Sequence, residues 1–276
     1  MHINKIGEIK LLENIRTFSN VQNIGDDCAV LSLSEDKYLL VSTDMLVEGV
    51  HFSPGNNSWR EIGRKAVEVN LSDIAAMGGM PTQLFISLAL PGTFEESSLR
   101  ELYQGLTEPQ VPISGGDLVS SDKVTINICV LGEVEKDLVL RRSGASIGDM
   151  AAVTGTLGGS AASNYTSVPV SQVEAGRKLA QSGVITSMTD ISDGLARSIY
   201  DLSTESKVGI KLHENSVPLA PGATMEQALH GGEDYELLFT FKPGSVLPVQ
   251  ATVIGEVVAE GRGSVLQNKG YEHFSV

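Results

Sequence analysis

In "KVTINICVLGEV", Val124, Ile126, Ile128 and Val130 fall on one face, a period of two that predicts a strand with one buried side. Two earlier apolar runs, "CAVLSL" and "YLLVSTDML", are separated by the polar turn "SEDK" and read as a pair of strands. "SWREIGRKAVEVNLSDIAAMGG" changes the period. Ile62, Ala66, Val69 and Met77 recur at helical spacing, and Gly78-Gly79 before Pro81 end the helix. "TQLFISLALP" is continuously apolar and predicts a buried strand, and "EESSLRELYQGL" predicts a short helix. The polar, glycine-containing "EKDLVLRRSGASIGD" marks a boundary near residue 138, dividing the chain into 1–138 and 139–276. Beyond it, "MAAVTGTL" predicts a strand ending in a glycine-rich bend. Helices follow at 173–181 and 194–203, and "DYELLFTF" and "ATVIGEVV" supply later strands. Strands and helices mix without regular βαβ alternation, which favours an α+β fold.

Composition narrows the function. With 276 residues, 41% of them hydrophobic, the chain can bury one large domain or two smaller ones. A formal net charge of −14 disfavours nucleic acid or an anionic membrane as partner, and an aromatic content of 5% argues against a base-stacking platform. An anionic substrate that arrives wrapped in metal ions remains compatible with that charge. Cys28 and Cys129 lie far apart in apolar runs and read as buried small hydrophobes of a reducing compartment. "MHINKIGEIK" lacks the apolar core of a signal peptide and no run reaches membrane-spanning length, so a cytoplasmic location is expected.

Carboxylates recur at the ends of the predicted strands. "NIGDDCAVL" sets Asp26 beside Asp27, a pairing whose repulsion reaches roughly 4 kcal/mol at about 4 Å and an effective dielectric near 20. "VSTDML" ends at Ser42-Thr43-Asp44, "VNLSDIAAM" places Asp73 inside a helix, and "ISGGDLV" carries Asp117 after two glycines. "MTDISDGL" offers Asp190 and Asp193 around Ser192, and "HGGEDYEL" gives Glu233 and Asp234. Each has a structural alternative. Asp26 or Asp27 suits a turn, Asp117 likewise, and Asp190 or Ser192 suits the N-cap of the following helix. Asp73 needs a partner if buried. As a set they suit magnesium, which takes one or two carboxylates per ion and completes its shell with water and substrate phosphates. The five histidines form no zinc pattern, and no GxxxxGK[ST] phosphate loop occurs. Arg141 and Arg142 are either phosphate anchors or a solvated charge pair.

"IGDDCAVL", "STDMLVEGVHF", "KAVEVNLSDIAAMGGMPTQLFISLALP", "GGDLV", "RSGASIGDMAAVTGTLGGSAA", "TDISDGL" and "GGEDYELLFTF" follow one another from about residue 24 to 241, and "KGYEHF" closes the chain. In that order they resemble thiamine-monophosphate kinases, of the ATP-binding superfamily shared with aminoimidazole ribonucleotide synthetase. The resemblance implies two α+β domains. The N-terminal one binds ATP and metal and forms a barrel across a homodimer; the C-terminal α/β sandwich completes the nucleotide and substrate site. It implies direct in-line transfer from ATP to thiamine monophosphate with several magnesium ions. Asp27, Ser42, Thr43, Asp44, Asp73, Asp117, Asp190 and Asp193 would serve the metals, with Asp26 secondary; of these, Asp44, Asp73, Asp117 and Asp190 are the catalytic candidates. Tyr103, Gly116, Asp117, Arg142 and Ser192 would contact ATP, and His51 and Glu233 the thiamine phosphate. Asn268 stands where the family commonly has a tryptophan associated with the thiamine rings, and the only tryptophan, Trp59, reads as packing. Two other functions fit the same blocks: a superfamily relative that activates a different oxygen with ATP, and a nucleotide-binding protein without thiamine kinase activity.

Overall fold

The computed structural model describes residues 2–21, 24–264, 270–271 and 273. The first half runs α1 (Glu8–Arg16), β1 (Ala29–Ser32), β2 (Lys37–Val47), α2 (Trp59–Ala76), β3 (Met80–Leu90), α3 (Glu96–Thr107), β4 (Ile113–Ser120) and β5 (Thr125–Glu135). The second half runs β6 (Met150–Val153), α4 (Gly159–Ala162), α5 (Val173–Gln181), β7 (Ile185–Asp190), α6 (Leu195–Ser206), β8 (Gly209–Leu212), α7 (Met225–His230), β9 (Leu237–Phe241) and β10 (Thr252–Val258). Among the described residues the strands form two five-stranded sheets, ordered β1-β2-β5-β3-β4 and β7-β9-β6-β10-β8.

In the first sheet β4 joins β3 in parallel after the crossover through α3, and every other pairing is antiparallel. The "ISGGDLV" segment, turn-like in sequence, is therefore an edge strand. Gly116 makes this possible. At φ +153° it lies so close to β3 that a Cβ there would stand 1.7 Å from the Ile86 carbonyl oxygen. The run "TQLFISLALP" is buried on one face only. Leu84, Ile86 and Leu88 point into the core, whereas Phe85 is 36% exposed on the outer face. Cys129 pairs with Phe85 across β5 and β3 and is only partly buried; Cys28 is buried, as expected.

The second sheet is covered on both faces, which is why all five residues of β9 are buried. Leu238 packs with Leu195, Ile199 and Ile254, and Leu237 and Phe239 on the other side pack with Leu179, Ala75 and Ala76. Those two alanines belong to α2, so one helix serves the cores of both sheets.

Helix α2 starts at a capping box. The Ser58 Oγ accepts from the Glu61 backbone N–H, and the Glu61 carboxylate accepts from the Ser58 N–H at 2.8 Å. Trp59 packs edge-on against Phe52 and Phe94, a packing role as read from the sequence. α2 then meets α3 with almost no side chain between them. A Cβ at Gly63 would lie 2.2 Å from the Leu102 carbonyl oxygen, and one at Gly105 would lie 1.8 Å from that of Arg60. Near its far end α2 is buried on nearly every side. A helix so placed can carry polar residues only where they find partners.

Candidate active site

The polar residues of α2 do find partners, on both sheets. Asn70 is fully buried; its Oδ1 accepts from the Asp44 backbone N–H at 3.0 Å and its Nδ2 donates to the Ala66 carbonyl. Asp73 accepts from the Ser42 hydroxyl at 2.5 Å. Ser72 donates to the Asp190 carboxylate at 2.6 Å. Strand alternation explains the β2 contacts, because Ser42 and Asp44 share the face of Leu40 and Leu46. Thr43 is on the opposite, exposed face, its hydroxyl 3.3 Å from Asn127 Oδ1.

Carboxylate oxygens of Asp27, Asp73 and Asp190 all lie within 4.8 Å of one another. One cation attends them. Arg142 Nη2 is 2.6 Å from Asp27 Oδ1, which also accepts from Thr189 at 2.9 Å. The other Asp27 oxygen is buried and has no hydrogen-bond partner. The electrostatic result is consistent. Burial lifts Asp44 to about 6. Burial, then the Asp27 charge, lifts Asp190 to about 7. Burial, then the charges of Asp44 and Asp190, push Asp73 well above the usual carboxylate range. A divalent cation would relieve every one of these effects at once, and hard oxygen donors suit magnesium. The donor set and the orphaned Asp27 oxygen therefore fit such an ion.

Asp44, Asp73 and Asp190 open onto a cavity of about 380 Å³ that Ser192, Asp193, His51 and Glu233 also line. Burial, then the Glu8 charge, raises Asp193 to about 6. Gly194, at φ +100°, is the N-cap of α6, and no side chain caps that end; Asp190 ends β7 instead of capping a helix. His51 accepts from the Val47 N–H at Nδ1, so its proton sits on Nε2. Burial, then His273 and Lys65, depress His51 to about 4, keeping it neutral. Glu233 is bonded to Lys65 Nζ at 2.6 Å and its N–H donates to the Ser192 carbonyl. Glu233 and Tyr235 hold φ values of 57° and 51°, a left-handed conformation that L residues adopt at a cost of about 1–3 kcal/mol and that clusters at functional sites.

Some expected residues lie elsewhere. Asp26 accepts from Arg141 Nη1 at 2.6 Å and from the Arg142 N–H, facing away from the cluster. Arg141 is thus paired with Asp26 but still partly solvated, whereas Arg142 is tied to Asp27 and lies 3.7 Å from Asp201. Asp117, beside Gly116 on exposed β4, bonds its own neighbour's N–H, and Tyr103 is 39% exposed on α3; among the described residues neither lines the cavity. Asn268 lies outside the described residues. Sequence reading passed over Lys65, Asn70, Ser72 and Thr189. A buried helix bearing "KAVEVNLSD" held the signal, because polar residues at buried helical positions demand partners.

Two family models match: AIR synthase related protein, N-terminal domain, over residues 25–134, and its C-terminal domain over 167–268. A thiamine-monophosphate kinase of Methanospirillum hungatei is 38% identical, covering 95% of this chain and 98% of the relative. One of Synechococcus elongatus is 32% identical over 99% of this chain and 98% of the relative. The chain belongs to the thiamine-monophosphate kinase family. Among solved structures, AaThiL complexed with AMPPCP and TMP superposes with a TM-score of 0.91 at 31% identity over 99% of both chains. A hydrogenase maturation protein, HypE, in complex with ATP matches at a TM-score of 0.67 and 21% identity and shares the fold with the family.

Proposed function

We propose that this chain transfers the terminal phosphoryl group of ATP to thiamine monophosphate, giving ADP and thiamine diphosphate. The carrying observation is the convergence of Asp27, Asp73 and Asp190 on one point beside a cavity in a member of this family. A bond forms between an acceptor phosphate oxygen and the γ-phosphorus as the bond to the β–γ bridging oxygen breaks. The acceptor oxygen is already ionised near neutral pH, so the chain supplies position and charge in place of a general base.

Asp27, Asp44, Asp73 and Asp190 would hold magnesium, with Asp193 also at the cavity wall; bound magnesium would neutralise phosphate charge and orient the two reactants. Ser42 and Ser72 fix the carboxylates of Asp73 and Asp190, and Asn70 fixes the backbone of Asp44. Neutral His51 offers an Nε2–H and Glu233 a carboxylate to the thiamine phosphate, while Ser192 and Arg142 border the nucleotide. Units 1–138 and 139–276 act as the two domains. The outer face of the first sheet, with Met45 53% and Leu118 62% exposed, supports a homodimer in which Thr43, Gly116 and Asp117 face a second copy, while Tyr103 stays a nucleotide candidate on α3. No described helix is long and apolar enough to cross a membrane, which accords with a cytoplasmic enzyme. Purified protein given ATP, magnesium and thiamine monophosphate should form thiamine diphosphate; none at any magnesium concentration refutes the assignment.

A further inference from the structure

Lys65 is a lysine buried to 5% exposure inside a helix, and it does not line the cavity. Its ammonium group nevertheless reaches three of the segments that do. Nζ donates to Glu233 Oε2 at 2.6 Å, to the His51 carbonyl at 3.1 Å and to the Tyr165 carbonyl at 3.4 Å. An ammonium has three protons and accepts nothing, so these bonds exhaust it. The acceptors come from the turn after β2, the loop after α4 and the segment before β9. They lie far apart in the chain, and among the described residues no other atom gathers all three.

Two of the acceptors sit in strained backbone. Tyr165 has φ 61° and Glu233 φ 57°, left-handed values that a non-glycine residue keeps only when its surroundings enforce them. Lys65 bonds the carbonyl of one and the carboxylate of the other. It is therefore placed to hold both residues in conformations they would otherwise leave.

We propose that Lys65 is a positioning residue that assembles the acceptor-binding wall, fixing His51, Tyr165 and Glu233 together against the thiamine phosphate. This rests on the kinase reading above. The carboxylate cluster has its own supports in Ser42, Ser72, Asn70 and Arg142, so the nucleotide side stays intact without Lys65. The signature is one-sided, confined to the acceptor.

Steady-state kinetics of Lys65→Met, with ATP and thiamine monophosphate varied separately, test it. The expected result is a KM for thiamine monophosphate raised tenfold or more, with KM for ATP and calorimetric affinity for magnesium–AMPPCP within threefold of wild type. An acceptor KM within twofold of wild type overturns the proposal, as does an equal loss on both sides. Lys65→Met leaves Glu233 half-buried and unpaired, so Lys65→Met/Glu233→Gln is compared with Glu233→Gln in parallel. The double variant should show an acceptor KM at least fivefold above Glu233→Gln alone, because the His51 and Tyr165 segments are released as well. Equal values overturn the three-segment role. A wild type that binds magnesium–AMPPCP but makes no thiamine diphosphate overturns the kinase reading instead, so the two failures are distinguishable.

Discussion

Acidic side chains gather at two places along α2, and their circumstances are opposite. Near its N-terminal half, Glu233 meets Lys65 in a close, buried ion pair whose ammonium is fully bonded. Near its C-terminal half, Asp27, Asp73 and Asp190 converge with Arg142 as the attending cation, and one Asp27 oxygen is left bare. The first group is complete within the protein. The second is complete only with something from outside. A buried charge that lacks a partner is costly, so a fold that retains several together is built for a ligand of the other sign. A pair with its countercharge in place calls for no added cation, and it holds Glu233 at the cavity wall instead.

The sharpest way to break this contrast is to remove a charge from each group. Asp73→Asn should lower kcat by roughly 10³-fold, in the range seen when a group that supports transition-state charge is lost. It should leave the melting temperature of the metal-free protein unchanged or higher, because one repulsive neighbour is gone. Asp44→Asn should behave alike in a coupled ADP-release assay. Normal turnover by either variant would detach the cluster from the chemistry. Lys65→Met should do the reverse to stability, costing about 3 kcal/mol in urea unfolding, the low end for a broken buried pair because the carboxylate left behind is half-buried. A smaller loss than for Asp73→Asn would erase the distinction between the two groups.

The pH dependence of stability sharpens the comparison further. Asp44 and Asp193, raised to about 6, and Asp190, raised to about 7, bind protons more tightly when folded than when unfolded. The stability each adds is complete below the unfolded value of about 3.9 and disappears as pH climbs through the folded one. His51, depressed to about 4, acts in the other direction: its contribution is present above about 6.5 and is lost on acidification. Three carboxylates outweigh one imidazole. Metal-free protein should therefore melt higher at about pH 5.5 than at about pH 8, and magnesium should stabilise it more at about pH 8, where the carboxylates are ionised. Scanning fluorimetry with and without the metal reads both. The smallest expected effect is that of Ser72→Ala, about 1–1.5 kcal/mol in urea unfolding from one hydrogen bond to Asp190, with a few-fold loss of kcat.

Much of the fold was readable from local patterns. Period-two and period-3.6 runs gave β2, α2, α3, β5 and α5 close to their observed limits, because each has a buried face wide enough to leave its mark. β7, β8 and the edge strand β4 were not foreseen. "ITSMTD" and "GIKL" are too short for periodicity, and β4 is held by a glycine's contact with a strand distant in sequence. At the site, Asp27, Asp44, Asp73 and Asp190 were nameable only as a set and through the family resemblance, because a turn or an N-cap would account for Asp27 or Asp190 taken singly. Lys65 and Asn70 were not, since which atoms a buried helix residue touches depends on elements far along the chain. Thr43 stands apart from its neighbours in the strand: they face α2, and pleating turns it outward.

The contact between α2 and α3 reaches beyond packing. Two hydrogens, at Gly63 and Gly105, stand where any larger group would drive the helices apart, and α2 carries Lys65, Asn70, Ser72 and Asp73 on the same rigid rod. Shifting that rod tilts every donor it bears, in both halves of the molecule. A screen for inactive variants should thus return these two glycines beside the aspartates, although neither ever touches a reactant.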